Sequence, residues 1–259
     1  MSVIHLSGGE TLVAVAPEVG GRVASITHRG VDLLVGPDHS MATDPRTWGC
    51  YPMVPWCGRI ANGQFNWNGE DIRLDLNSGV HAIHGTVFST PWWVNGVSES
   101  HIEMSCSIAR HGWPYEGLVK HAISVEEGHV SMSLEVTAHE AMPVQVGWHP
   151  WFVKPAAIDS TFTSMYVRAD DYSTTADLVQ PTDPPWDDCF TGGEVLPFAI
   201  DDVNVRLESS CDHWVMYDMT SYATCIEPQS GPPNGVNIGQ ADVVQPDMPM
   251  RQTFDLYFE

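Results

Sequence analysis

The sequence predicts an all-β protein with antiparallel strands, built as one domain over residues 1–259. Apolar and polar side chains alternate over residues 102–108 and 130–136, which is the two-residue period of a half-buried strand. Turn-forming pairs such as Asn68-Gly69 and Glu127-Gly128 recur at short intervals along the chain. Helical periodicity is hard to find, and the glycines and prolines are not gathered into a linker between two domains.

The composition is that of a globular protein with a large negative charge. Hydrophobic residues make up 43% of the 259 positions, which is enough for a sizeable core. There are 33 acidic and 11 basic residues, so the net charge is −22. Because phosphate groups are bound by clustered Lys and Arg, this charge argues against a nucleic-acid or anionic membrane surface and disfavours phosphorylated substrates.

The chain shows no targeting segment and no cysteine-based metal motif. No run of about 18 apolar residues occurs, and the first residues lack the basic and apolar regions of a signal peptide. The six cysteines form no C-x-x-C pair, so buried, reduced thiols are expected. We therefore expect a cytoplasmic protein without a metal site.

Two turn-rich stretches are candidate places for a site. Residues 174–193 contain three prolines and the pair Asp187-Asp188, and residues 228–235 follow a predicted strand over residues 222–227. Loops on a rigid β scaffold often carry binding residues, although plain surface excursions are as common.

Two short segments before residue 90 offer polar groups to a ligand. Arg59 lies among glycine, proline and aromatic residues and can donate several hydrogen bonds to an oxygen-rich ligand; a structural ion pair is the alternative. His81 and His84 point to opposite faces of an extended strand, so they are not expected to bind one metal ion together. His84 at a strand end is either a pocket residue or a structural histidine.

The segment around His149 combines an imidazole with aromatic rings. In an extended strand His149 and Trp151 share one face, and Trp148 and Phe152 share the other. An indole can cover the C–H face of a sugar ring while an imidazole supplies a proton or a hydrogen bond. A core strand with one incidental histidine explains this segment nearly as well when it is taken alone.

Glu227 ends an apolar strand and is followed by Pro228 and a sharp turn. Apolar surroundings raise the pKa of a carboxyl toward neutrality, where it can act as a base. Surface glutamates are more common than buried ones with a raised pKa, so the position alone does not show that Glu227 is a base. The negative net charge is expected to favour the protonated form of His149.

In this order and spacing, the segments resemble the aldose 1-epimerase (galactose mutarotase-like) family. The matching motifs, in chain order, are Gly20-Gly21-Arg22, Gly58-Arg59-Ile60, His84-Gly85, His149-Pro150, Asp187-x-x-Phe190 and Glu227-Pro228-Gln229. The resemblance covers most of the chain. It implies a large antiparallel β-sandwich, the galactose mutarotase-like supersandwich.

The resemblance implies an acid and a base. Glu227 matches the catalytic base of the family, and His149 matches its general acid. The implied reaction interconverts the α and β anomers of a free aldose by ring opening and closure. It needs one proton donor and one proton acceptor, and neither a metal nor an organic cofactor is required.

Other residues are implied to bind the sugar. Arg59, His84 and Asp187 match positions that contact sugar hydroxyls, and Trp151 is expected to cover the ring. Asp187 lies three residues before an aromatic residue, as in the family pattern, and the adjacent Asp188 is the alternative. The expected partner is a monosaccharide.

Departures from the family pattern bear on which aldose is bound. Thr86 follows His84-Gly85 where a second glycine is common, and the residues after His149 also differ. A non-catalytic sugar-binding or sensing protein is the main alternative function. A hexose-6-phosphate 1-epimerase would need a cluster of cations that the composition lacks, and a two-carboxylate glycosidase is a third possibility.

Overall fold

Two large antiparallel sheets form the protein, and their facing sides make the core. The computed structural model describes residues 2–155 and 157–259. In these residues the helical segments are a 3₁₀ turn at Ala61–Gly63 and one α-helical turn, α1 (Gly235–Ile238). Neither is long and apolar enough to cross a membrane.

The strands contain about half of the described residues and are distributed along the whole chain. In order they are β1 (Ile4–Gly8), β2 (Thr11–Ala16), β3 (Arg22–His28), β4 (Val31–Asp32), β5 (Cys50–Met53), β6 (Arg59–Ile60), β7 (Gln64–Trp67), β8 (Glu70–Arg73), β9 (Ala82–Ile83), β10 (Trp93–Val97), β11 (His101–Ser107), β12 (Gly117–Glu126), β13 (His129–Ala138), β14 (Met142–Val144), β15 (Gly147–Val153), β16 (Ser164–Arg168), β17 (Thr174–Val179), β18 (Asp187–Thr191), β19 (Phe198–Ile200), β20 (Val203–Ser209), β21 (His213–Tyr217), β22 (Ala223–Gln229), β23 (Asp242–Val244) and β24 (Met250–Phe258).

The larger sheet has eleven strands and the smaller has seven. The larger follows the order β1-β2-β3-β5-β15-β22-β21-β18-β16-β17, with β4 beside β3, and the smaller follows β10-β11-β12-β13-β24-β20-β19. Three two-stranded pairs, β6-β9, β7-β8 and β14-β23, lie outside these sheets. Neighbouring strands run antiparallel throughout the two sheets. The predicted all-β antiparallel sandwich is confirmed.

Aromatic side chains from the two sheets meet in the core. The ring of Trp148 in β15 lies 5.8 Å from that of Phe254 in β24, and Phe152 lies 5.5 Å from Phe198 of β19. The indole nitrogen of Trp148 also donates to Nε2 of His121 in β12 at 3.2 Å. Full burial of one such aromatic side chain contributes about 1.5–3 kcal/mol, so these contacts hold the sheets face to face.

Strands β15 and β22 are buried on both faces, unlike the half-buried strands of the seven-stranded sheet. Trp148 and Phe152 point into the core, so alternation sends His149 and Trp151 to the opposite face, as predicted. A second apolar cluster that includes Tyr51 covers that opposite face. We call the side of the large sheet that carries His149 and Trp151 its outer face.

Local sequence patterns agree with the structure over much of the chain. The two alternating segments form β11 and β13, and Glu127-Gly128 is the turn between β12 and β13. All six cysteines are buried and free, as expected. Residues 174–193, read as turn-rich, instead contain β17 and β18, because the three prolines fall in the short connection between these strands.

A tight turn after β9 carries His84. His84 and Gly85 both have left-handed φ angles, of 64° and 77°. A Cβ atom added at residue 85 would lie 2.0 Å from the carbonyl oxygen of Val54. Glycine is therefore required there both for its backbone freedom and for its lack of a side chain.

We expect Gly85→Ala to destabilise the fold by about 3 kcal/mol or more, because the backbone at Val54 must move. Gly30→Ala is the matched control, since Gly30 has a φ of 83° but open space around a new Cβ. Only the left-handed backbone cost of about 1–2 kcal/mol applies there. Urea unfolding measures both changes, and equal losses would show that the Val54 contact does not constrain this turn.

Candidate active site

A cavity of about 310 Å³ lies on the outer face of the large sheet. This volume is at the lower end of the range of roughly 300–1,000 Å³ that is typical of small-molecule sites. The structure brings all six residues singled out in the sequence to its wall: Arg59, His84, His149, Trp151, Asp187 and Glu227.

His149 and Glu227 meet because β15 pairs with β22. The antiparallel register joins Gly147 to Gln229, so two residues further along each strand His149 lies opposite Glu227. Side chains directly opposed in this way have Cβ atoms about 4.5–5.5 Å apart. Nε2 of His149 lies 3.2 Å from Oε1 of Glu227, and both side chains are at least nine-tenths buried. The predicted acid and base are in direct contact.

Two neighbours fix the orientation of this pair. Gln229 has the same strand face as Glu227, and its Nε2 donates to Oε2 of Glu227 at 3.0 Å. Tyr51 of β5 lies opposite His149 on the other side, and the two rings stack with centroids 4.7 Å apart. The amide therefore occupies one carboxylate oxygen and leaves Oε1 to face the imidazole.

The buried Arg22 supports Tyr51. Its guanidinium lies 5.0 Å from the Tyr51 ring and 4.2 Å from the Trp48 ring. It donates to the carbonyl oxygens of Pro45, Trp48 and Phe88. Burial lowers the pKa of Arg22 to about 10. Arg22 thus ties three backbone segments together next to the ring that stacks on His149.

Strand β18 brings Asp187 to the same face. Asp187 pairs with Tyr217, which pairs with Cys225, which in turn pairs with Trp151, so the four residues form one row across the sheet. Asp188 is one residue further along and alternates to the other face of β18, although it also borders the cavity. The register favours Asp187 as the carboxylate nearer to the pair.

The Trp151 ring lies nearly parallel to two neighbouring rings. Its indole lies 5.6 Å from the His149 ring at 8° and 6.1 Å from the Tyr222 ring at 9°. That Trp151 covers the ring of a bound sugar stays a prediction.

Arg59 and His84 reach the cavity from the β6-β9 pair. His84 follows β9 directly, and its ring lies edge-on to that of His149 at 5.0 Å. Burial lowers the pKa of His84 well below its ordinary value, so this imidazole is a neutral hydrogen-bonding group. As predicted, His81 does not join it: Nδ1 of His81 instead accepts from the backbone N–H of Asn62 at 3.2 Å.

Three of the nine arginines border the cavity, which the overall composition does not reveal. Arg46 pairs with Asp44 at 2.8 Å, and Arg168 pairs with Asp187 at 2.7 Å. The guanidinium of Arg59 has no hydrogen-bond acceptor in the part of the chain that the structure describes. Burial lowers the pKa of Arg59. Arg59 is therefore the cavity cation that is available to a ligand.

Burial disfavours charge on both members of the central pair. It lowers the pKa of the His149 imidazole to about 3, contrary to the expectation from net charge that His149 is protonated. Burial, together with the negative charge of Asp187, raises the pKa of the Glu227 carboxyl well above its ordinary value. The favoured arrangement is a protonated Glu227 beside a neutral His149, and the pair holds one proton.

Several buried polar atoms around the cavity have no hydrogen-bond partner among the described residues. They are Nδ1 of His84, Nδ1 of His149, Nε1 of Trp151 and Oε1 of Gln229. An unsatisfied buried group costs about 1–3 kcal/mol. A ligand that carries many hydroxyl groups can satisfy donors and acceptors of both kinds, so this wall is suited to such a ligand.

Comparison with known proteins identifies the family. The family model for aldose 1-epimerase matches residues 2–220. The chain belongs to the aldose 1-epimerase family. The matched residues include five of the six cavity residues singled out in the sequence, and Glu227 lies beyond the match.

Similar proteins come from bacteria and animals. The uncharacterized protein YphB of Escherichia coli K12 is 27% identical over 158 residues, which are 59% of this chain and 52% of YphB. Galactose mutarotase of Sus scrofa is 29% identical over 98 residues, 36% of this chain and 29% of that protein. The match thus spans about half of YphB and less of the mutarotase.

Solved structures share the fold. The GalM/aldose epimerase homologue of C. elegans superimposes with a TM-score of 0.87 at 14% sequence identity, over 100% of this chain and 98% of that one. The galactose mutarotase-like sandwich predicted from the resemblance is confirmed.

Gln229, Tyr51 and Arg168 are among the cavity residues that were not found from the sequence. Gln229 could have been, because it lies two residues after Glu227 and so shares its strand face. Tyr51 and Arg168 have no comparable signal. Their place beside His149 and Asp187 depends on the pairing of β5 with β15 and of β16 with β18.

Glu227→Gln is expected to stabilise the protein near neutral pH. The folded state holds the Glu227 proton to a higher pH than the unfolded chain, in which the carboxyl titrates near about 4.3. The folded state therefore binds more protons above that pH, and stability falls as pH rises toward the raised pKa. The glutamine side chain of the variant does not titrate, so the variant does not lose this stability as the pH rises. Its advantage in Tm over the wild type should grow from pH 4 to pH 7.

Thermal melts at pH 4, 5, 6 and 7 measure this difference. Glu135→Gln, the same change on the seven-stranded sheet, is the control. A Tm difference between Glu227→Gln and the wild type that stays constant with pH would show that Glu227 is not a buried, proton-holding carboxyl.

Proposed function

We propose that this protein is an aldose 1-epimerase that interconverts the α and β anomers of a free monosaccharide, with Glu227 and His149 as its base and acid. The observation that carries the proposal is the 3.2 Å contact between His149 and Glu227 in the cavity wall. The hydroxyl oxygen and the ring oxygen of an aldose are both bonded to C1. A base for one and an acid for the other must therefore lie side by side.

Ring opening moves two protons. The proton held by Glu227 first passes from Oε1 to Nε2 of His149 across their 3.2 Å contact. Glu227, now the carboxylate, takes the proton of the C1 hydroxyl, and the electron pair forms the C1 carbonyl as the bond between C1 and the ring oxygen breaks. His149, as the imidazolium, gives its proton to the departing ring oxygen. Each positioned proton transfer is typically worth about 10²–10⁴-fold in rate.

Ring closure reverses these transfers on the other face of the carbonyl. Rotation about the C1–C2 bond presents that face, His149 removes the proton from the hydroxyl that attacks, and Glu227 returns its proton to the carbonyl oxygen. The pair holds one proton at every stage except during transfer. Protonated Glu227 beside neutral His149, which burial favours, is its state while the sugar is open.

The remaining wall residues hold the sugar during rotation. The guanidinium of Arg59 and the neutral imidazole of His84 supply hydrogen bonds to hydroxyl groups. Asp187, fixed by Arg168 at 2.7 Å, supplies an acceptor. The Trp151 ring packs on His149 and keeps the imidazole in line with Glu227.

Polarimetry on fresh α-D-glucose or α-D-galactose tests the proposal. The wild type should speed the approach to the equilibrium rotation, and Glu227→Gln and His149→Ala should each lower kcat by about 10²–10⁴-fold. Glu135→Gln and His101→Ala make the same changes on the other sheet and should leave the rate unchanged. Circular dichroism confirms that each variant is folded.

The outcomes distinguish the alternative functions. Wild-type turnover in Glu227→Gln would remove the assignment of the base. Sugar binding by the wild type without anomer conversion would identify a binding or sensing protein. Release of a reducing sugar from a glycoside would identify a glycosidase.

A further inference from the structure

The thiol of Cys225 has no part in the proposed reaction, yet it lies beside the reacting pair. Cys225 is two residues before Glu227 in β22 and shares its face of the strand. Across the sheet it pairs with Trp151 and Tyr217. Its side chain is completely buried.

Three ligand atoms of different chemistry converge at this point. Nε2 or Nδ1 of His149, Sγ of Cys225 and a carboxylate oxygen of Glu227 all lie within 4.8 Å of one another. Thiolate, imidazole and carboxylate are the three groups that bind Zn²⁺ in proteins. Metal–ligand bonds of about 2.0–2.3 Å in a tetrahedral site place ligand atoms roughly 3.3–3.6 Å apart. The 3.2 Å between His149 and Glu227 is close to this spacing.

We propose that His149, Cys225 and Glu227 form a zinc-binding site, and that Zn²⁺ bound there inhibits the enzyme. Burial raises the pKa of both the Cys225 thiol and the Glu227 carboxyl well above their ordinary values, so binding of the ion displaces one proton from each group to solvent. The resulting thiolate and carboxylate together neutralise the two positive charges of the ion. A tetrahedral ion then keeps one further position for a small ligand.

The surroundings favour capture of a cation. Gln229 donates to Oε2 of Glu227 and so fixes the carboxylate with Oε1 on the side of His149. A fixed ligand needs less reorganisation when a metal ion binds. The net charge of −22 also raises the local concentration of cations around the molecule.

Inhibition follows from the identity of the ligands. Zn²⁺ would occupy the imidazole nitrogen and the carboxylate that the proposed reaction needs free for proton transfer. Metal binding and anomer conversion are then mutually exclusive. This inhibitory consequence rests on the proposed function, whereas the metal site itself does not.

Metal binding is measured first, without any activity assay. Protein treated with a chelator is dialysed against Zn²⁺, and the wild type should bind one ion that Cys225→Ala binds at least about tenfold more weakly. Cys106→Ala removes a buried thiol from β11 in the other sheet and should bind as the wild type does. Co²⁺ in place of zinc should give a thiolate-to-metal charge-transfer band in the wild type and in Cys106→Ala, but not in Cys225→Ala.

Activity is measured second. Zn²⁺ should slow anomer conversion by the wild type, added EDTA should restore it, and Cys225→Ala should need at least about tenfold more Zn²⁺ for the same inhibition. Absence of the charge-transfer band in the wild type would overturn the site, and so would equal zinc affinity in Cys225→Ala and the wild type. Zinc binding with the cobalt band, but without epimerase activity, would overturn the proposed function and leave the metal site in place.

Discussion

The antiparallel pairing of β15 with β22 is the constraint on which the site depends. It sets His149 opposite Glu227 in the middle of an eleven-stranded sheet, where neither backbone position can shift without breaking the ladder. Tyr51 on one side and Gln229 on the other limit the remaining freedom of the two side chains. A shift of the register by one residue would turn one member of the pair into the core.

Burial gives this pair its chemical character. An isolated carboxylate or imidazolium in such a place would be costly, and two groups that share one proton avoid that cost by remaining neutral together. The neutral form of the pair differs from its ion-pair form only in whether one proton sits on Oε1 of Glu227 or on Nε2 of His149. A proton transfer across this contact therefore converts either form into the other. The same burial leaves several polar atoms without partners, so a polyhydroxylated ligand gains more here than at an exposed surface.

Local patterns predicted those features that depend on neighbours along the chain. The two-residue period identified β11 and β13 and placed His149 and Trp151 on one face. Family motifs marked five residues, His149 among them, that the fold brings to the same cavity as Trp151. Cross-strand partners such as Tyr51 and Arg168 were not predicted, since register between distant segments has no local signature. Nor was the near-parallel packing of the Trp151 ring on the Tyr222 ring, which joins segments that are far apart in the chain.

The central claim is that His149 is neutral in the folded protein and shares one proton with Glu227. NMR of protein labelled with ¹⁵N in its histidine rings measures this directly, with the His149 signals assigned by their loss in His149→Ala. The account predicts a neutral His149 ring at pH 7 that takes up a proton only well below pH 6. An imidazolium at pH 7, titrating near the ordinary histidine value of about 6.5, would contradict it.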